Sequence, residues 1–166
     1  EDFLHAQGVE PWSDLPVWLG RDEEASHRLD PSRARAHGLR TTNRWLDEWL
    51  ATFYAYAFLH ERRPAQARLW EAVMQLYRDG VVPAYRSLEA FDRLYFGVGA
   101  RNDVWYQAQF QRQVETVLAR HGLAALEGVR EALRELPARP PALLVVERLE
   151  RRLPGFRDWA ASLEAA

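Results

Sequence analysis

The chain is 166 residues long, with 48% hydrophobic and 28% charged residues, a globular composition that excludes general disorder and suffices to bury a core within one domain. A formal net charge of -2 at pH 7 removes any broad electrostatic attraction to nucleic acid or to an anionic membrane. The absence of cysteine excludes disulfides, thiolate metal sites and cysteine nucleophiles. Every basic residue is Arg, and Lys and Ile do not occur, a usage read first as the coding bias of a GC-rich bacterium.

Residues 1–40 differ in texture from the rest of the chain. The chain begins at Glu1 without Met, as a fragment or processed form would. Between Gly8 and Gly20 lie Pro11, Trp12, Pro16 and Trp18, a pattern expected for an ordered loop pinned by its tryptophans, because the residue before each Pro is pushed away from helix. Asp30-Pro31 then reads as the N-cap and first residue of a short helix through His37, with Gly38 closing it. The expectation is a loop-rich arm over residues 1–40.

The wording of this arm, Gln7-Gly8-Val9 with Pro11-Trp12-Ser13-Asp14-Leu15-Pro16-Val17-Trp18-Leu19, then Asp30-Pro31-Ser32-Arg33-Ala34 and Gly38-Leu39-Arg40, resembles the C-terminal end of NAD-dependent epimerase/reductase proteins of the extended short-chain dehydrogenase type. That resemblance implies an accessory segment of a reductase. The family's Tyr-x-x-x-Lys pair has no counterpart in a chain without Lys. The only Gly-x-Gly, Gly97-Val98-Gly99, lacks the third glycine of a dinucleotide fingerprint and a strand before it.

From residue 41 the pattern is helical throughout. Asn43 to Arg62 forms the central element: Trp45, Trp49 and Phe53 recur one turn apart, Leu46, Leu50, Tyr54 and Phe58 cover the neighbouring face, and a thin polar strip of Arg44, Glu48 and Thr52 interrupts them. A helix apolar on nearly all sides is normally buried. Pro64 opens a second helix to Gly80 with Leu69, Trp70, Val73, Leu76 and Tyr77 inward, and Ser87 caps a short third with Leu88, Phe91 and Leu94. After a loop at Phe96–Gly99, Asn102 or Asp103 caps a fourth helix that Gly122 ends, its inward set being Trp105, Phe110, Val114, Val117 and Leu118. Leu123, Leu126, Val129 and Leu133 mark a fifth. Pro137 to Pro141 is a stiff linker, and residues 142–166 bring Leu143, Val146 and Leu149, then Phe156, Trp159 and Leu163, onto the core. The fold class expected is all-α: an irregular bundle of about five to six helices around a buried central helix (43–62), with the core domain over 41–136.

Thr42-Asn43-Arg44-Trp45-Leu46-Asp47-Glu48-Trp49-Leu50-Ala51-Thr52-Phe53 resembles the second catalytic helix of gluzincin-type zinc metallopeptidases. Leu94-Tyr95-Phe96-Gly97-Val98-Gly99, Trp105-Tyr106-Gln107 with Phe110, and His121-Gly122-Leu123 resemble the helical lobe of bacterial members. The resemblance implies that Glu48 stands at the third zinc-ligand position and that Tyr106 matches a transition-state hydrogen-bond donor. The His-Glu-x-x-His motif that supplies the other two ligands and the general base is absent. His5, His27, His37, His60 and His121 include no pair four residues apart. His27 and His37 are the candidates for completing an atypical zinc site with Glu48.

Each candidate also has a simpler reading. Glu48 is four residues from Arg44, the spacing of an ordinary helix ion pair; Tyr106 sits in an amphipathic pattern and reads equally as core; Arg148, Arg151 and Arg152 are balanced by Glu147 and Glu150 as a solvated face. Arg44, Trp45, Trp49 and Thr52 are the candidate binding residues around Glu48. Nothing resembles a signal peptide, and the longest apolar run, Trp49 to Leu59, falls well short of the roughly 20 residues of a membrane span. The expected protein is therefore cytoplasmic, without nucleic-acid or membrane partners. Its expected role is that of a non-catalytic helical domain related to a zinc metallopeptidase, binding a protein or peptide and needing no cofactor. A zinc-dependent peptidase using Glu48 is the first alternative, and a reductase accessory segment the second. Oligomeric state is open.

Overall fold

The computed structural model describes residues 43–137 and 139–165. The expected arm over 1–40, with its short helix and with His27 and His37, lies outside the described residues. Residues 41–166 form one compact unit.

Among the described residues the protein is all-α. In chain order the helices are α1 (Arg44–Arg62), α2 (Pro64–Gly80), α3 (Leu88–Leu94), α4 (Gly99–His121), α5 (Ala125–Arg134), α6 (Ala142–Arg152) and α7 (Phe156–Ala165), with 3-10 turns at Tyr95–Gly97 and Gly122–Ala124. The central helix is α1, packed chiefly on α4 and also on α2 and α3. It buries Trp45, Leu46, Trp49, Leu50, Thr52, Phe53, Tyr56 and Leu59. The C-terminal helix closes this core with aromatic contacts: Trp159 lies 6.0 Å from Trp45 and 6.2 Å from Phe110 between ring centroids, and Phe156 lies 5.2 Å from Trp49. Tilted and edge-on pairs at these separations add to the area that such rings bury. The indole N–H of Trp159 donates to the carbonyl of Gln109 at 3.2 Å, so α7 is keyed to α4 by a buried polar bond as well.

The start of α1 is fixed from a distance. Asn43 occupies the N-cap position, but its side chain does not cap its own helix. The carboxylate of Asp92, on α3, instead accepts from the backbone N–H of Trp45 at 2.9 Å and from the Asn43 amide at 2.9 Å. The same Asn43 amide donates to the carbonyl of Pro140 at 3.1 Å, tying the proline-rich connection to this end of the core. A carboxylate at a helix N-terminus satisfies an otherwise open N–H and opposes the positive end of the helix dipole. Burial nevertheless raises the Asp92 carboxyl above its usual value, with the bonds from Trp45 and Asn43 opposing the shift.

Several inward faces differ from the expected ones. Leu76 and Tyr77 of α2 are exposed, and the helix buries Ala67 and Met74 instead. Leu123 is exposed in a 3-10 turn, and α5 buries Ala125, Val129 and Ala132. Leu143 is exposed while α6 turns Ala142, Val145, Val146 and Leu149 inward. On α5 small residues face the neighbouring segment and permit close approach: at Gly128 an added Cβ would lie 3.1 Å from the Leu153 side chain. The start of α4 also precedes its expected cap. Gly99, at φ 71°, turns the chain into the helix, and Asn102 is used elsewhere: its amide donates to the Val98 carbonyl at 2.7 Å and its oxygen accepts from Ala84 N–H at 2.7 Å. Ser87 does cap α3, accepting from Ala90 N–H at 3.1 Å.

Candidate functional site

The polar strip on α1 is where the core departs from hydrocarbon packing. Glu48 is partly buried between Trp45, Trp49 and Thr52, and a carboxylate there requires donors. Two neutral ones supply them. The Tyr95 hydroxyl, from the 3-10 turn after α3, donates to Oε1 at 2.6 Å, and the Gln107 amide, from α4, donates to Oε2 at 3.0 Å. The Thr52 hydroxyl lies 2.8 Å from the Glu48 carbonyl oxygen and 3.2 Å from Gln107 Oε1, so it bonds back to its own helix and also touches the amide. Three elements thus converge on one carboxylate.

The expected ion pair between Arg44 and Glu48 is replaced by a different arrangement. Arg44 is drawn toward Asp47, 3.8 Å away, and its guanidinium lies 5.5 Å from the centre of the Tyr95 ring and 5.8 Å from that of Phe96. A planar, weakly hydrated guanidinium gains from aromatic faces at such distances. Tyr95 and Phe96 are edge-on at 5.4 Å. Phe96 is 92% exposed, whereas the Tyr95 beneath it is half-buried.

Electrostatics follow from this geometry. The hydrogen bond to Glu48, then burial, then the Glu48 charge push the Tyr95 hydroxyl up to about 12, against a smaller opposing effect of Arg44. Tyr95 therefore stays a neutral donor across the physiological range. Burial, then the Glu48 charge, raises the Asp103 carboxyl above its usual value, which places a second acidic group within the field of the first.

The other expected site residues are distributed differently. Tyr106 is fully buried; its hydroxyl donates to the Ser87 carbonyl at 2.9 Å, and its ring lies 4.6 Å from Phe91. It belongs to the aromatic core and joins α4 to the start of α3. Trp45 and Trp49, expected as binding residues, are 0% exposed and present no surface to a ligand, because α7 lies over them. Thr52 is buried with its hydroxyl engaged. Of the expected binding set, Arg44 alone stands on the surface beside Glu48.

Among the described residues, the donors around Glu48 do not fit zinc. Zinc is held by imidazole, thiolate and carboxylate groups that present lone pairs, whereas Tyr95 and Gln107 point protons at the Glu48 oxygens. Among the described residues, no group of three His, Asp or Glu side chains could hold a metal ion. The arrangement can anchor a charge, hold Tyr95 and Phe96 in place and present an aromatic-cationic face.

Four residues of this cluster are not among the site residues expected from the sequence: Tyr95, Phe96 and Gln107 stand there only within the stretches that resemble a peptidase lobe, and Asp103 only as a possible helix cap. A signal existed in the glutamines of α4, where Gln107, Gln109, Gln111 and Gln113 alternate along a helix that is otherwise apolar on its inner side. Three of them are buried, and Gln107 is partly so. Buried amides need partners as much as a buried carboxylate does, and Glu48 is one such partner. No helix among the described residues is long and apolar enough to cross a membrane. No protein-family model, curated protein or solved structure matches the chain.

Proposed function

We propose that the helical unit is a non-catalytic module, related in its helical lobe to gluzincin-type zinc metallopeptidases, that binds a protein or peptide partner over the Arg44–Tyr95–Phe96 face. One observation carries the reading: Phe96 is 92% exposed at the tip of a turn that the Tyr95–Glu48 hydrogen bond fastens to the central helix. A large apolar side chain presented on a turn fastened to the core forms contact area at a lower ordering cost than one on a loose loop. With Arg44 beside it, the face accepts a partner offering an apolar side chain to pack on Phe96 and a carboxylate for the guanidinium. Aromatic residues and Arg are the residue types that dominate binding hot spots.

The test is peptide selection from a random display library on the immobilised protein, with Phe96→Ala as the counter-target. Peptides that contain an acidic and an apolar residue, and that lose at least about ten-fold in affinity on Phe96→Ala, support the reading. Selected peptides indifferent to Phe96→Ala and Arg44→Ala would overturn it.

A further inference from the structure

The outward face of α1 carries a second feature, which adjoins the Arg44–Phe96 face at Asp47. Ala51, Tyr54, Ala55 and Phe58 are all exposed, Tyr54 at 40% and Phe58 at 50%. Their spacing puts them on one stripe of the helix, opposite the tryptophan face. The stripe is bounded by Asp47, which also lies 3.8 Å from Arg44, toward one end of the helix and by Arg62 at the other, Arg62 being 68% exposed in its side chain and 3.2 Å from its neighbour Glu61. Small and large residues alternate along it, and its ends carry opposite charges.

That pattern is complementary to itself when reversed. We infer that α1 pairs with α1 of a second copy of this chain in an antiparallel, two-fold arrangement. In it Tyr54 meets Ala55 of the second copy, Ala51 meets Phe58 of the second copy, and Asp47 meets Arg62 of the second copy. A two-fold interface is isologous, so each contact occurs twice. Large-on-small pairing lets the helices approach closely and seats each ring over a gap. Within one chain Asp47 and Arg62 are about 22 Å apart along the helix and cannot pair, so a coupling between them reports the contact between copies. A stripe of about three turns buries less than the roughly 800 Å² per partner of a standard interface, the size of a weak, reversible contact.

Sedimentation equilibrium over a concentration series tests the pairing with the whole chain. Wild-type protein is expected to show a reversible monomer–dimer equilibrium. Phe58→Glu, a change at an exposed position, is expected to weaken the dimer at least about ten-fold with the helical circular-dichroism spectrum retained. Asp47→Arg alone and Arg62→Asp alone each weaken it by opposing like charges, and the double exchange Asp47→Arg/Arg62→Asp restores it. A protein that stays monomeric to about millimolar concentration, whatever else covers the stripe, overturns the inference. So does a dimer insensitive to Phe58→Glu, and so does a double exchange that fails to restore association.

Discussion

Glu48 and Asp103 show how two carboxylates near one core are treated differently. Glu48 receives hydrogen bonds on both oxygens from Tyr95 and Gln107, which is how a partly buried charge is kept. Asp103 is raised first by burial and then by the Glu48 charge. In the folded state it takes up a proton at a higher pH than in the unfolded chain. Its charged form therefore lowers stability at neutral pH, and that penalty disappears as pH falls through the raised value. Asp103→Asn, which mimics the protonated form, is expected to raise the thermal midpoint at neutral pH and to match wild type at about pH 3, where both states of Asp103 are protonated. Thermal unfolding at the two pH values checks this, and a variant less stable than wild type at neutral pH would contradict the sign.

At the scale of elements, the most informative contact is the cap that α3 lends to α1. Asp92→Ala leaves the N–H of Trp45 without its acceptor and is expected to cost about 1–2 kcal/mol, the usual value of a helix cap. Asp92→Asn keeps an acceptor without burying a charge and stays closer to wild type; chemical denaturation of the two variants measures the difference. Equal losses would mean that the charge itself, acting on the helix dipole, is what matters. The existence of each helix in this unit was legible from apolar periodicity, and Ser87 and Gly122 were legible as punctuation. Which stripe of a helix faces inward was less so. On α2 the Leu69–Val73–Leu76 stripe outranks Ala67 and Met74 in hydrophobicity, yet the helix turns Ala67 and Met74 to the core and leaves Leu76 exposed. Periodicity gives the period of burial, and contact with neighbours sets its phase. The trans cap was illegible for a different reason, because Asp92 lies 47 residues from the N–H it serves.

For the molecule as a whole, one partly buried carboxylate organises three elements that are distant in sequence. Tyr95 and Gln107 are 47 and 59 residues from Glu48. The need for a partner was visible in a polar strip among tryptophans; the partner's identity was not, since i, i+4 spacing favoured Arg44. The fold resolves that choice by stacking Arg44 on Tyr95 and Phe96, which leaves Glu48 to neutral donors and turns an aromatic pair outward. The face proposed to bind a partner is therefore a consequence of how the core disposes of a charge. The most direct measurement is the metal content of undialysed protein together with the unfolding free energy, for wild type and Glu48→Ala. The account predicts no stoichiometric zinc in either protein, and a loss of about 1–2 kcal/mol on Glu48→Ala from two broken charge-assisted hydrogen bonds at a partly solvated site. One zinc per chain in wild type, lost in Glu48→Ala, would contradict it and make Glu48 a metal ligand.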